Sequence, residues 1–308
     1  MIDSMLLAAK AKPQRGLVKI ATMPRRRMQH RMAHFEGKLY MSGGTSDGLT
    51  PYLQMADIYD IESGTWTTTP LAANAAKGLH GSFVRKTLND GKYFYVVAGS
   101  QTVSGTTGST GTNVVFREDY NAWTSGPSTS ARTAFANVVD DELGRFWIFG
   151  GNVTGAADLR TTGYFNYATG AWVNVNATHP RTATGGMEAV LYDDDIYMFG
   201  GTVNTFYKFN RTTSQFTQLA NLPKVTVRHA VFEHNGKIYS IGNNSINDEV
   251  LCYDIASNTW SILRGDFGLN APATVKVGSR IFLSGGRIAG ANSSDPLYEV
   301  FPDIWRPY

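Results

Sequence analysis

Histidine is the residue type in this chain best suited to chemistry, and three of its six histidines fall at related positions. His30 and His80 each follow a proline by a few residues, and His229 stands beside Arg228. Three such imidazoles could ring a metal ion. A zinc–nitrogen bond is only about 2.0–2.1 Å long, however, and related positions in separate structural units are expected to lie too far apart to share one ion. The sequence therefore predicts no metal site.

Glu188 is the one acidic residue set in an apolar, strand-like stretch, between Met187 and Ala189. Burial would raise the pKa of its carboxyl group because it disfavours the charged form, and such a group can act as a general acid or base. The alternative is a structural ion pair with an arginine. No catalytic constellation accompanies Glu188, so it is only a candidate and we expect no enzymatic activity.

Other chemical signatures are missing from the chain. The single cysteine, Cys252, excludes a disulfide framework and a cysteine-cluster metal site, and we expect it to be a buried small hydrophobe. The glycine-rich segment 105–111 contains no lysine and precedes no helix pattern, so it predicts a flexible loop and not a phosphate site. The run Arg25–Arg27 has no interleaved aromatic residue, and nucleic-acid binding is not expected. No cofactor is predicted.

A repeat indicates the elements that would position these residues. A strand-like run ending in glycine recurs six times, with its leading glycine at Gly43, Gly99, Gly150, Gly200, Gly242 and Gly285. Downstream of each run lies a pair of aromatic residues seven positions apart: Tyr59 and Trp66, Phe116 and Trp123, Phe165 and Trp172, Phe209 and Phe216, Tyr253 and Trp260, and Tyr298 and Trp305. Turn-forming residues separate the members of a pair. Six occurrences at one spacing indicate six copies of one unit.

This combination resembles the kelch repeat, over residues from about 23 to 305. Three positions depart from the family pattern: Ser100 and Asn243 replace the second glycine, and Phe216 replaces tryptophan. The resemblance implies an all-β fold, a six-bladed kelch-type β-propeller. A four-stranded unit cannot bury both of its faces alone, whereas radially stacked units cover one another, and each aromatic ring adds about 150–250 Å² of contact area.

The resemblance also implies where the arginines and histidines lie. The first strand of each blade begins at the mouth of the central channel, where propellers usually bind ligands and where kelch arginines and histidines bond to the backbone of neighbouring blades. The binding candidates at this mouth are Arg27, His30, His80, Arg132, Arg181, Arg228 and His229.

The two ends of the chain compete for one place in the ring. Residues 16–37 align with residues 215–236, so Leu17–Ala21 predicts an outermost strand placed ahead of the first blade. The segment around Trp305 is a second candidate for this outermost strand. We expect the N-terminal strand to complete blade six, with the Trp305 segment beside it, and we divide the chain into an arm, 1–15, and a propeller, 16–308.

The N-terminal arm differs from the rest in charge and in pattern. Residues 1–34 carry eight basic side chains and one acid, and the remainder has a net charge of −4 (20 basic and 24 acidic residues). Ile2, Met5, Leu6 and Ala9 have the spacing of a short amphipathic helix that ends before Pro13. We interpret this helical arm as a site that docks on a partner.

These patterns predict a non-enzymatic protein-interaction or assembly module that meets protein partners through its loops and its arm. The low charge and the high content of Ser, Thr, Gly and Asn resemble subunits of phage or virion particles. The alternatives are a sugar-active enzyme that resembles the sialic-acid mutarotases of the kelch family, with Glu188 and either Arg181 or Arg132 in its site, and a glycan-binding propeller. The chain has no apolar run of 18 residues and no basic leader, so we expect no membrane span and a cytoplasmic location, alone or in a cytoplasmically assembled particle.

Overall fold

The computed structural model describes residues 16–46, 52–70, 76–86, 91–103, 106–117, 122–182, 184–243, 249–265, 268–287 and 294–307. The predicted helical arm, with Ile2, Met5, Leu6 and Ala9, lies outside the described residues.

The described residues form six antiparallel sheets, or blades, whose strands follow one another from the channel outwards. Blade 1 consists of β2 (Arg31–Phe35), β3 (Lys38–Ser42), β4 (Met55–Asp60) and β5 (Trp66–Pro70). Blade 2 consists of β6 (Gly81–Lys86), β7 (Lys92–Val103), β8 (Thr106–Arg117) and β9 (Ala122–Gly126). Blade 3 consists of β10 (Ala136–Asp140), β11 (Arg145–Phe149), β12 (Thr162–Asn166) and β13 (Ala171–Val175). Blade 4 consists of β14 (Met187–Tyr192), β15 (Asp195–Gly200), β16 (Tyr207–Asn210) and β17 (Gln215–Gln218). Blade 5 has five strands: β18 (Ala230–His234), β19 (Lys237–Ile241), β20 (Glu249–Asp254), β21 (Thr259–Arg264) and β25 (Arg306–Pro307). Blade 6 consists of β22 (Ala273–Val277), β23 (Arg280–Ser284), β24 (Ser294–Val300) and β1 (Leu17–Arg27). The all-β, six-bladed prediction is confirmed.

Short polar turns join the two outer strands of a blade. In the turn after β4, the Asp60 carboxylate accepts a hydrogen bond of 2.8 Å from the Ser63 amide, and Gly64 takes a left-handed φ of +69°. The turn after β20 repeats this pattern, because Asp254 accepts a 3.0 Å bond from the Ser257 amide. An aspartate that bonds the backbone ahead of it fixes a tight turn without help from the core.

The aromatic pairs lie opposite each other on the two outer strands. Five of the six pairs are in cross-strand register, from Tyr59 with Trp66 to Tyr253 with Trp260, and these two have ring centroids 4.9 and 5.0 Å apart. The sixth differs, because Trp305 packs against Tyr239 in blade 5 with its centroid 5.6 Å away. The rings fill the spaces between blades, as the repeat predicts.

The ring closes through the N-terminal strand. β1 pairs along β24 as the outermost strand of blade 6, in agreement with the prediction. The C-terminal segment instead adds β25 to the edge of blade 5 and presses the Trp305 indole against Gly16, where a β-carbon would lie only 2.2 Å from Nε1. The Phe301 amide also donates to the Gly16 carbonyl at 2.7 Å. The chain ends therefore hold each other at the junction of blades 5 and 6.

The glycine-rich segment of blade 2 is not a loop over its described part, so that prediction is wrong. Residues 106–111 belong to β8, which pairs with β7 out to Val103 and Thr106. The Ser109 amide donates to the Thr154 hydroxyl at 2.8 Å, and the Thr154 amide donates to the Ser109 hydroxyl at 2.9 Å. Threonine favours extended backbone, and support from blade 3 outweighs the freedom of the glycines.

The closure predicts a large effect of one aspartate. Asp57 of β4 is fully buried and accepts hydrogen bonds from Arg27, at 2.6 Å, and from Arg25, at 2.5 Å, both on β1. Asp57→Ala leaves the fully buried Arg27 without its counter-charge, so we expect a loss of about 3–5 kcal/mol in the free energy of unfolding, measured by urea denaturation. Asp295→Ala is the control, because Asp295 meets the exposed Arg26 at 3.9 Å, and should cost at most about 1 kcal/mol. Equal effects would contradict this account of closure.

Candidate functional site

A ring of main-chain hydrogen bonds surrounds the channel at the end where the inner strands begin. The residues that lead into these strands all have positive φ, and we call them the mouth ring: Gln29, Leu79, Ala134, Gly186, Arg228 and Ala271. At five of the six junctions between blades, hydrogen bonds of 2.7–3.2 Å link these residues: Leu79 to Gln29, Ala134 to Leu79, Gly186 to Ala134, Ala271 to Arg228, and Gln29 to Ala271. A left-handed backbone is costly for residues other than glycine. The bonds between blades offset that cost and hold the mouth at a fixed size.

The three histidines lie directly behind the mouth ring, but they do not converge. Each imidazole is hydrogen-bonded at 2.8 Å to a serine hydroxyl: His30 to Ser284, His80 to Ser42, and His229 to Ser240. All three are buried, and burial lowers the pKa of each one, to about 3 for His229. They are therefore neutral at physiological pH. Among the described residues, no group of three His, Cys, Asp or Glu side chains could hold a metal ion.

Three arginines among the mouth candidates cap the glycine turns. Each guanidinium donates to the carbonyl of the leading glycine of a blade: Arg27 to Gly43 at 2.6 Å, Arg132 to Gly150 at 2.9 Å, and Arg181 to Gly200 at 2.6 Å. Burial lowers the pKa of Arg132 and of Arg181 to about 10, so both remain cationic. Arg228, by contrast, is exposed to solvent. The role of all seven candidates in ligand binding stays a prediction.

Lys77 is a buried charge that the sequence analysis missed. It precedes Leu79 of the mouth ring by two positions, as Arg27 precedes Gln29, and so occupies an arginine position of the repeat. Its side chain is fully buried and bonds to the carbonyl and, at 3.3 Å, to the hydroxyl of Thr112. Because burial is not balanced by a carboxylate, the pKa of Lys77 falls to about 7.

An ion pair crosses the channel. Arg31 is the first residue of β2 in blade 1, and Glu188 lies on β14 in blade 4, on the opposite side of a six-bladed ring. Nη1 of Arg31 lies 2.8 Å from Oε1 and 2.9 Å from Oε2 of Glu188, and Nε donates to the His80 carbonyl at 2.7 Å. Burial raises the pKa of Glu188, and Arg31 partly offsets this effect. The partner of Glu188 is thus Arg31, whereas Arg181 and Arg132 donate to carbonyl groups.

Small residues at the same level make room for this pair. Arg31 and Glu188 lie opposite Ser42 and Phe199, which directly precede the double glycines of their blades. The matching positions in the other four blades are Gly81, Ala136, Ala230 and Ala273. The channel is therefore filled at this level by two long side chains and not by six medium ones.

A cavity of about 360 Å³ continues along the channel from the ion pair. We call it the channel pocket. Its lining begins with Arg31 and Glu188 and ends at a rim that holds His34, Asp141, Glu233 and Lys276. None of the mouth-ring residues lines it. The lining of the channel pocket thus ends at the ion pair and does not reach the mouth ring.

Sequence reasoning missed Arg31 because its partner lies 157 residues away. A usable signal was present, since Arg31 and Glu188 are the only long charged residues at a repeat position otherwise held by glycine or alanine. Cys252 meets its expectation, because it is buried with a pKa raised by burial.

Six antiparallel blades around a channel, with arginines that cap glycine turns, define a β-propeller built from kelch-type repeats. The profile of the KLHDC2/KLHL20/DRC7 Kelch-repeats domain matches residues 90–286, and that of the Kelch motif matches residues 26–70. The first match alone spans more than half of the chain, which therefore belongs to the kelch-repeat family.

Two known proteins are similar over most of the chain. The Kelch-like protein terF of Aspergillus terreus (strain NIH 2624 / FGSC A1156) is 26% identical in an alignment 276 residues long that covers 79% of this chain and 56% of that protein. The chain thus spans little more than half the length of this relative. The structure of YjhT superimposes with a TM-score of 0.75 over 90% of this chain and 95% of YjhT, at 11% identity, and shows the same fold. No helix in the described part of the chain is long and apolar enough to cross a membrane.

Lys77 predicts a pH-dependent stability. The pKa of Lys77 is about 7 in the folded chain, against 10.5 for an ordinary lysine. Between these two pH values the unfolded chain binds more protons than the folded chain. The folded state therefore loses stability as the pH falls from 10.5 to 7. Lys77→Met removes this loss. The melting temperature of the variant minus that of the wild type should therefore be higher at pH 7 than at pH 10, by differential scanning fluorimetry.

The matched control is Lys237→Met, because Lys237 is exposed and its variant should give the same difference at both pH values. A Lys77→Met difference that does not change with pH would show that Lys77 keeps an ordinary pKa.

Proposed function

We propose that this kelch propeller is a non-enzymatic module that binds protein partners on the face carrying the mouth ring, which we call the loop face. The observation that supports the proposal is the long β7–β8 hairpin, which extends past the blade on that face. The hairpin runs on from the backbone pairing of Gly78 with Ser100, directly beside Leu79 of the mouth ring.

The hairpin is held in a defined position. Its far strand accepts main-chain hydrogen bonds from blade 3, at Gly111 from Thr129 (3.0 Å) and at Thr110 from Arg132 (3.3 Å), besides the Thr154 contacts. A preorganised extension loses little conformational entropy when it binds. Its sequence between residues 100 and 113 holds no charged side chain and is rich in Ser, Thr and Gly, so it offers hydroxyl and main-chain groups for recognition.

The blades are unequal on this face. The connection between the second and third strands spans only residues 201–206 in blade 4, whereas blade 2 builds the long hairpin at the same place. An asymmetric surface on a rigid scaffold is the usual arrangement of a recognition face. The buried mouth side chains are already bonded within the protein, which also favours binding at the loops over chemistry at the mouth.

The finer form of the proposal is a structural subunit of a larger assembly, phage- or virion-like in composition, in which residues 1–15 add a second contact. Its support is the sequence of the arm, with eight basic residues in the first 34 and the helical spacing of Ile2, Met5, Leu6 and Ala9.

The hairpin provides a direct test. Ser100 and Ser109 pair across its two strands, so replacing residues 101–108 by Asn-Gly closes a two-residue turn between them and shortens the extension without opening the blade. We expect unchanged melting and loss of the proteins that the wild type captures from its native lysate, quantified by mass spectrometry. A second variant that lacks residues 1–15 tests the arm in the same assay.

The control is Ala168→Ser with Thr169→Ser, in an exposed turn of blade 3 on the opposite face, which should leave capture unchanged. If the shortened hairpin retains every captured protein, the loop face is not the binding surface.

A second candidate function rests on Glu188. Its carboxylate lies on the channel pocket with a pKa raised by burial, which is the setting of an acid–base group in a sugar-active enzyme. It faces Arg31 alone among the described arginines, whereas Arg132 and Arg181 bind carbonyl groups.

The proposal of a non-enzymatic module predicts no acceleration of anomer exchange of sialic acid, followed by NMR. Acceleration that disappears in Glu188→Gln would favour the enzyme and contradict the proposal. A glycan-binding role without catalysis would give a signal on a glycan array and no exchange.

A further inference from the structure

The channel pocket opens on the face opposite the loop face, so it is separate from the proposed partner surface. One end of its lining is the Arg31–Glu188 ion pair and the other is the rim with Asp141 and Lys276. A volume of about 360 Å³ falls in the range of small-molecule sites.

The ion pair does not use all of its hydrogen-bonding capacity. Nη1 of Arg31 bonds to Glu188 and Nε bonds to His80, and no described residue accepts from Nη2. Both oxygens of Glu188 share the single donor Nη1, although a carboxylate can accept about four hydrogen bonds. One donor and several acceptor positions are therefore left at the ion-pair end of the channel pocket.

The two charged side chains are accessible from the channel pocket. Each keeps 16% of its side-chain surface exposed, and both line the cavity. Groups of a ligand in the channel pocket can therefore reach the guanidinium and the carboxylate.

From these contacts we infer that the channel pocket binds a small zwitterion, a free α-amino acid with an aliphatic side chain. Its carboxylate accepts from Nη2 of Arg31, and its ammonium group donates to Glu188. Because the ion pair carries no net charge, a ligand with one charge would leave a charge of the protein uncompensated, whereas a zwitterion supplies a partner to each side.

The walls of the channel pocket fit the body of such a ligand. Val138, Val190 and Val231 line it beside the polar end, and apolar contact with branched aliphatic groups is favourable. At the rim, Lys276 is already paired with Glu233, so entry of a neutral molecule meets no large opposing charge.

The test uses the full chain and three related probes in isothermal titration calorimetry. L-Leucine carries both charged groups, 4-methylpentanoate lacks the ammonium group, and 3-methylbutylamine lacks the carboxylate. We expect L-leucine to bind at least about tenfold more tightly than either analogue, since each lost charged hydrogen bond is worth a factor of that order.

Two variants locate the site. Both are compared with the wild type by their effect on L-leucine binding. Glu188→Gln, which keeps the shape of the side chain, should weaken it at least about tenfold, and Glu62→Gln, an exposed acid far from the channel, should not change it.

The inference is overturned if L-leucine does not bind up to its solubility limit, if all three probes bind equally, or if Glu188→Gln binds like the wild type. None of these outcomes depends on the hairpin assay, so the channel pocket and the loop face are judged separately.

Discussion

The structure depends on the hydrogen bonds that join the mouth ring. Each blade is only four strands wide in five of the six cases and would have two uncovered faces alone. At the mouth, the main chain of one blade bonds directly to the main chain of the next, through residues held at positive φ such as Leu79 and Ala134. Backbone geometry therefore sets the radius of the channel. It also fixes the positions of the side chains behind the mouth ring.

This constraint explains why the most conspicuous residues of the sequence are structural. The turn at each double glycine brings carbonyl groups into the interior, and Arg132 and Arg181 satisfy them with a guanidinium. A guanidinium stays charged even when burial lowers its pKa to about 10, whereas Lys77 in the matching place falls to about 7. Arginine is thus the better residue at this position, because its several donors serve several carbonyls from one buried charge.

Features that repeat along the sequence can be predicted from it, whereas contacts that occur only once cannot. The glycine runs and the aromatic pairs predict six blades because every copy reinforces the same spacing, and the alignment of Leu17–Ala21 places the closing strand. Trp305 has the spacing of a sixth aromatic pair with Tyr298, but the strand that follows it, β25, belongs to blade 5. Trp305 therefore packs on blade 5 instead. The partner of Glu188 is equally unrepeated, since Arg31 meets it only because a ring of six places blades 1 and 4 opposite each other.

The two faces of the propeller are separated but not independent. The loop face bears the β7–β8 hairpin and the channel pocket opens opposite, with the mouth ring between them. Arg31 connects the two faces, because its Nε donates to the carbonyl of His80. His80 directly follows Leu79 of the mouth ring. It also packs beside the backbone pairing of Gly78 with Ser100 at the base of the hairpin. A ligand that draws the guanidinium towards the channel pocket would strain this bond, so the position of Arg31 is one physical link between the two faces.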